Sequence, residues 1–433
     1  MSSENMDAVM DAEEQAQGLV PKLRFPEFQE AGDWAYQPLG AFANILDERV
    51  GSKTYIPYSI TSGIGLVSQQ EKFGRTIAGS QLKNYFVLQP QDFAYNKSAT
   101  KEYPQGFAVM FEGDAPGCVP ASIFTCFRIH DSSVSAKYLN FLLRGNLHGR
   151  WLAKYSAVGA RATGSLAIDD KDLLALPVPL PAGNTSTTEQ QKIADCLSSL
   201  DAVIAAEGDR LAALKDHKKG LMQQLFPAKD QTTPRLRFPE FESAVAWVET
   251  PLGQLAEYQN GKAYEPHIVE NGRFAVVNAR FISTDGTVRK SSNSALMIAD
   301  KGDVLMVLSD LPNGKALAKC FLVDADDTYA VNQRIVRLKP HAVGSEFLFF
   351  MLNRHPFLLS FNDGQNQTHL SKDNVLNCPI LHPSDEAEQR QISDCLASID
   401  QRIMAQTDQL LALKRHKMAL MQQLFPSPYE ATA

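Results

Sequence analysis

Apolar residues recur with alternating four- and three-residue spacing along two stretches of the chain. Ile193, Leu197, Leu200, Ile204, Leu211, Leu214, Leu221 and Leu225 form the first seam; Ile392, Leu396, Ile399, Ile403, Leu410, Leu413, Leu420 and Leu424 form the second. A narrow stripe sustained over about four heptads predicts a helix that pairs with another helix. Both seams break at the same two places, Glu207/Gln406 and Lys218/Lys417. Ser186-Thr187-Thr188-Glu189 predicts a capping box for the first helix and Asp385 a cap for the second, while Pro227 and Pro426 stop them. Each helix then holds about 38 residues and spans roughly 55 Å. Antiparallel pairing would set Glu207 near Lys417 and help fix the register.

A different pattern fills the rest. Short apolar runs at 84–88, 107–110, 123–127, 274–277, 304–308 and 334–338 predict strands, punctuated by Gly, Asp, Asn and Pro. Stretches 137–155 and 345–360 predict amphipathic helices. The class is therefore α+β.

The chain is a tandem duplication. Pro21-Lys22-Leu23-Arg24-Phe25-Pro26-Glu27-Phe28 recurs as Pro234-Arg235-Leu236-Arg237-Phe238-Pro239-Glu240-Phe241, and Trp34, Pro38, Leu39 and Gly40 recur as Trp247, Pro251, Leu252 and Gly253. Residues 189–227 match 388–426 without a gap at about 24 of 39 positions. A period of roughly 200 residues means two domains, not a solenoid. The stretches between, 41–180 and 254–381, have diverged, with Asp92-Phe93-Ala94-Tyr95 standing where Asp303-Val304-Leu305-Met306 does. A shared scaffold with divergent variable parts fits two related but different ligands.

Charge refines the picture. The net charge of −7 argues against nucleic acid at first. The acid is concentrated, however, in the first twenty residues (Glu4, Asp7, Asp11, Glu13 and Glu14, with no Lys or Arg) and in the connectors, whereas 41–181 sums to about +3 and 254–381 to about zero. Binding DNA needs local positive charge, not a basic protein. The acidic opening is the reverse of a signal peptide, and no apolar run reaches the roughly 18 residues of a membrane span, so the expected location is the cytoplasm. Six cysteines without a CxxC pair read as reduced thiols, not a zinc site.

Catalytic motifs are missing. Gly261-Lys262-Ala263 and Gly314-Lys315-Ala316 do not complete a phosphate loop, and Gly63-Ile64-Gly65 makes a turn, not a nucleotide fingerprint. Asp169-Asp170-Lys171 reads as a capped helix start. No Asn-Pro-Pro-aromatic segment, G-x-S-x-G elbow or HExxH occurs, so no cofactor or metal site is expected in this chain. Residues suited to nucleic acid do occur in the divergent regions, because Arg pairs bidentately with guanine and Asn or Gln with adenine. They are Tyr95, Asn96, Lys97, Lys101, Arg161 and Thr163 in the first copy, and Lys315, Gln333, Arg334, Gln365, Gln367 and His369 in the second.

The Leu-Arg-Phe-Pro-Glu-Phe openings with Trp and Pro-Leu-Gly, and the helices running Glu-Gln…Asp-Cys-Leu…Lys-x-His-Lys…Leu-Met-Gln-Gln-Leu-Phe-Pro, resemble the specificity subunit of a bacterial type I restriction–modification enzyme. Asp92-Phe93-Ala94-Tyr95-Asn96-Lys97-Ser98 resembles a recurrent stretch of its target-recognition domains. The resemblance spans 21–427. It implies an acidic disordered leader over 1–20, a target-recognition domain over 21–181, a spacer helix with linker over 182–230, a second recognition domain over 231–381, a second helix over 382–427 and a tail over 428–433. Each domain would read one half of a split double-stranded DNA site, and the helices would form an antiparallel coiled coil with pseudo-two-fold symmetry. The chain itself would be non-catalytic. Two modification subunits would bring S-adenosylmethionine, and restriction subunits ATP and Mg. Two other classes remain open: a free-standing modification enzyme, and a helical adaptor that never touches DNA. A methylation system with a fused nuclease would use a similar subunit.

Overall fold

The computed structural model describes residues 19–61, 64–98, 100, 103–156, 166, 168–309, 316–362 and 369–426. Two units form: unit 1 is Met1–Gly208 with Asp408–Ala433, and unit 2 is Asp209–Thr407. Membership does not follow chain order, because the last helix returns its C-terminal half to the first unit.

Unit 1 contains β1 (Ala35–Pro38), β2 (Ala43–Ile45), β3 (Ile56–Thr61), β4 (Gly65–Ser68), α1 (Gln69–Phe73), β5 (Phe86–Leu88), β6 (Phe93–Asn96), β7 (Phe107–Met110), β8 (Gly117–Val119), β9 (Phe124–Ile129), α2 (Ala136–Arg144), α3 (Leu147–Ser156), α4 (Asp170–Leu174), β10 (Pro177–Leu180) and the start of α5 (Ser186–Leu225). Its central sheet has the order β2-β9-β6-β7 and is antiparallel throughout; a second sheet runs β4-β3-β8-β5, and β1 pairs with β10. Strand β6 is covered on both sides: Phe93 and Tyr95 enter the core shared with α2 and β10, and Ala94 enters the core between the sheets. Double burial explains why this run lacks polar alternation.

Unit 2 contains the rest of α5, then β11 (Val248–Pro251), β12 (Ala256–Asn260), β13 (Ile268–Val269), β14 (Phe274–Val277), α6 (Ala279–Ser283), β15 (Lys290–Ser292), β16 (Ile298–Ala299), β17 (Val304–Val307), β18 (Cys320–Leu322), β19 (Tyr329–Val331), β20 (Ile335–Pro340), α7 (Ser345–Leu352), α8 (Pro356–Leu359), α9 (Lys372–Leu376), β21 (Pro379–His382) and the start of α10 (Glu386–Leu424). The sheets are β12-β20-β17-β18 and β13-β15-β14-β19-β16, with β11 paired to β21. Val304 and Met306 face one core, Leu305 and Val307 the other, as along β6.

Two expected helices are broken. Stretch 137–155 divides into α2 and α3 where Asn146 takes a φ of 57°, and 345–360 divides into α7 and α8 where Arg354 takes 59°. The strand expected over 84–88 begins at Phe86, because Ser80–Asn84 is a 3-10 turn. The proline-containing pairs β1–β10 and β11–β21 carry no alternation that would predict them.

The long helices have 40 and 39 residues. All seam residues are buried or half-buried, while Val203, Met404, Leu411 and Met418, off the seam, are exposed. Within unit 1, Lys417 bonds Asp201, and the Gln409 amide donates to Glu207 at 3.3 Å. Partner numbers fall as residue numbers rise, so these segments run antiparallel. Within unit 2 the reciprocal pair is Lys218 with Asp400 at 2.6 Å. The expected Glu207–Lys417 pair is thus corrected: Lys417 meets Asp201 instead. Burial lowers the Lys417 pKa, with the Asp201 carboxylate opposing.

The repeated opening box is a clamp. In unit 1 the Arg24 guanidinium donates Nε and Nη2 to the Glu189 carboxylate, both at 2.7 Å, and the Trp34 indole donates to the same group at 3.2 Å. In unit 2 Arg237, Glu388 and Trp247 repeat this at 2.7, 2.8 and 3.2 Å. Glu189 therefore serves Arg24 and Trp34 rather than the expected capping box, whereas Asp385 does cap its helix by accepting from Ala387 N–H at 2.8 Å. A Leu-Phe pair closes each core. Leu424 and Phe425 enter unit 1, the Phe425 ring edge-on to Tyr138 at 5.4 Å, and Leu225 and Phe226 pack on Trp247 and Phe347 in unit 2.

One histidine makes unit 1 acid-sensitive. His148 on α3 is buried beside Leu139, Leu143 and Leu176, and burial holds its imidazole down at about 4. The unfolded ring titrates near 6.5, so the neutral form stabilises unit 1 above that pH and the contribution fades as pH falls toward 4. About 2–3 kcal/mol is expected to disappear between pH 7 and 4.5. Urea titrations at the two pH values should show this loss in the wild type and a clearly smaller one in His148→Leu.

Candidate nucleic-acid interface

The same three segments converge on one end of each central sheet. In unit 1, Lys97 follows β6; its N–H donates to the Ile123 carbonyl ahead of β9 at 2.9 Å, and its carbonyl accepts from Leu166 N–H at 2.8 Å. In unit 2, Leu308 follows β17; its N–H donates to the Arg334 carbonyl ahead of β20 at 2.9 Å, and its carbonyl accepts from Leu370 N–H at 2.9 Å. Lys97, Ile123 and Leu166 thus occupy the places of Leu308, Arg334 and Leu370. This end is the rim of the sheet.

The expected DNA-facing residues divide into three groups. Lys101, Arg161, Thr163, Lys315, Gln365 and Gln367 lie outside the described residues. Lys97, Gln333, Arg334 and His369 stand at the rims; Gln333 and Arg334 are exposed at the tip between β19 and β20, and exposed His369 bridges to Ser309. Tyr95 and Asn96 are corrected. Tyr95 is fully buried, its ring in the core and its hydroxyl donating to the Gln105 carbonyl at 2.7 Å. Asn96 is buried too, its side-chain oxygen accepting from Ser98 N–H at 2.9 Å. Neither has surface to offer a nucleic acid.

Pattern reading missed other rim residues. In unit 2, Gly261 and Lys262 bond Ile335 and Val331, and Lys262 bridges Asn332, so exposed Lys262 lies beside the 332–334 tip. Asn332 N–H donates to Val277 at the end of β14, which brings exposed Arg280 on α6 to the same place. Exposed Lys372 sits over the Tyr258 ring at 5.6 Å. Lys262, Arg280, Arg334 and Lys372 outnumber Glu265, which accepts from the Asn332 amide at the same tip, so this rim is basic although the region as a whole is neutral. A Cβ at position 261 would run into the Asn332 carbonyl, so glycine is what lets β12 continue past the tip.

The other end of each sheet is a staple. Asp92 accepts from Gln89 N–H and from Arg128 Nε and Nη2 at 2.6–2.7 Å; Asp303 accepts from Asp300 N–H at 2.8 Å and from Arg337. The aspartate repeated in the β6 and β17 motifs thus fixes the strand whose far end carries the rim residue. Buried Cys118 and Cys378 have thiols pushed up to about 12 by burial, which suits packing rather than nucleophilic chemistry. Among the described residues no group of three His, Cys, Asp or Glu is placed to hold a metal, and no helix is long and apolar enough to cross a membrane.

Known proteins share this architecture. Residues 244–414 match the family model described as the type I restriction modification DNA specificity domain. The specificity subunit of type I restriction enzyme MjaVIII from Methanocaldococcus jannaschii is 25% identical over 280 residues, which cover 60% of this chain and 64% of that relative, just under two thirds of its length. A crystal structure of the S subunit of a type I restriction–modification system from M. genitalium superposes with a TM-score of 0.57 at 15% identity, covering 94% of this chain and 99% of that one. A second structure, from work on complex assembly and conformational transition of the type I R-M system, gives 0.51 at 18% identity, covering 91% and 97%. The chain therefore carries a type I restriction–modification DNA specificity domain and has the fold of a type I specificity subunit.

Proposed function

We propose that this chain is the sequence-reading subunit of a type I restriction–modification complex, each unit recognising one half of a split DNA site. One observation carries the reading. Two units with the same clamps, staples and central-sheet order each present the same three segments at the rim of that sheet, and the residues at those places differ: Lys97 against Leu308, Ile123 against Arg334. A scaffold held constant under a changed rim is the arrangement expected of two readers of different sequences. The basic rim of unit 2 supplies phosphate contacts despite the net charge of −7.

On this reading the long helices pair as an antiparallel coiled coil that sets the gap between half-sites. The chain performs no chemistry itself. Two modification subunits dock on it and bring S-adenosylmethionine, restriction subunits bring ATP and Mg, and the complex works in the cytoplasm. The test is a domain exchange. Replacing residues 41–180 with the equivalent region of a relative, in the assembled complex, should change one half of the methylated site and leave the other half and the gap intact. Loss of both halves in a folded, assembled complex would sink modular readout. Duplex binding without sequence preference would favour the adaptor instead.

A further inference from the structure

We infer that the rim residue directly ahead of the second central-sheet strand reads a base in each unit: Arg334 a guanine in the half-site of unit 2, and Ile123 a thymine methyl in the half-site of unit 1. The inference rests on the DNA reading above and assigns it particular bases.

The two residues are structural equivalents. Each gives its carbonyl to the residue that follows the neighbouring strand, Lys97 or Leu308, at 2.9 Å, and each precedes a strand in the same register, Phe124 opposite Asn96 and Ile335 opposite Val307. Both side chains are exposed, Ile123 at 37%. A branched apolar side chain on a polar rim gains nothing from water, whereas it matches the single apolar group that the major groove offers, the thymine 5-methyl. Arg334 stands on a turn held from several sides. Asn332 donates its side-chain amide to Glu265 at 3.3 Å and accepts from Gln333 N–H at 2.7 Å, Ile335 N–H donates back to the Asn332 carbonyl at 2.9 Å, and Gly261 packs against that carbonyl. Such a held turn suits the directional, two-bond pairing of a guanidinium with guanine O6 and N7; a phosphate contact needs no such precision. Lys262, Arg280 and Lys372 around it are left to hold the backbone.

The experiment uses the full chain assembled with its modification subunits, and selects binders from a pool of randomised duplexes. Wild type should select a split site. Arg334→Ile should lose one guanine preference in one half, by about ten- to a hundredfold, with the other half unchanged. Arg334→Lys should keep only part of it, because an ammonium can reach O6 and N7 but lacks the planar fork. Replacing that guanine with 7-deazaguanine should weaken wild type and leave Arg334→Ile unaffected. For Ile123, replacing one thymine of the other half with deoxyuridine should weaken wild type about fourfold, as for one lost methyl, and leave Ile123→Ala unaffected. Uniform weakening across all sequences, with rescue by Arg334→Lys, would make Arg334 a phosphate contact and overturn its assignment. Insensitivity of wild type to every deoxyuridine substitution would overturn that of Ile123. If wild type selects no site, the DNA reading falls and both assignments with it.

Discussion

Glu189→Ala is expected to destabilise unit 1 by about 3–5 kcal/mol, the usual cost of leaving a buried charge without its partner. The Glu189 carboxylate is 1% exposed and the Arg24 side chain 7%. Its removal takes the only carboxylate from the guanidinium, which keeps just the Ala31 and Gly32 carbonyls, and strands the Trp34 indole N–H, which uses the same oxygen. Glu388→Ala should do the same to unit 2 through Arg237 and Trp247. The duplication provides the control: in denaturant melts followed by hydrogen exchange, each substitution should lower protection in its own unit's core first. Removing both charges together, Arg24→Met with Glu189→Leu, should cost less than half as much, since no unpaired ion is then buried. A loss below about 1 kcal/mol for Glu189→Ala would show that the clamp only decorates a core held by other contacts.

Lengthening both helices should lengthen the preferred gap between half-sites. In unit 1 the Asp201–Lys417 and Glu207–Gln409 contacts put Ala205 roughly opposite Ala412. Four residues inserted after each would add about 6 Å and turn the face by about 40°, close enough to keep the seam. The Asp201–Lys417 and Lys218–Asp400 pairs flank the insertions and stay intact. A gain of 6 Å approaches two base pairs at about 3.4 Å each. Methylation of duplexes differing only in the gap should therefore peak at a gap about two base pairs longer, with both half-sites unchanged. An assembled variant that keeps the original optimum would move the ruler from the helices to the recognition units or their partners.

The duplication and the helices are plain in the sequence because long periodic patterns average over local exceptions. The clamp was visible as two repeated boxes, Leu-Arg-Phe-Pro with Trp and the opening Glu-Gln of each helix, yet nothing in the pattern joins Arg24 to Glu189 across 165 residues. The rim is harder still. Lys262, Arg280, Arg334 and Lys372 come from four separate segments, and only strand pairing brings them together. Tyr95 misled for a definite reason: an aromatic beside Asn and Lys looks like a nucleic-acid patch, but it shares a strand face with Phe93, and period-two reading of that face points it inward. Ile123 was passed over as an ordinary strand start, and only its equivalence to Arg334 marks it.

The return of the last helix to unit 1 sets an order in time. Every strand of unit 1 has been synthesised by residue 180, but Leu424 and Phe425, which close its core against Tyr138, are made more than two hundred residues later. At about 5–20 residues per second the wait is on the order of 10–50 s. Unit 2 has the opposite schedule, since its own Leu-Phe pair, Leu225 and Phe226, precedes all its strands. The first sheet to leave the ribosome is thus the last to be sealed, and through that interval the side of Tyr138 that Phe425 will cover stands open to chaperones, proteases and neighbouring chains.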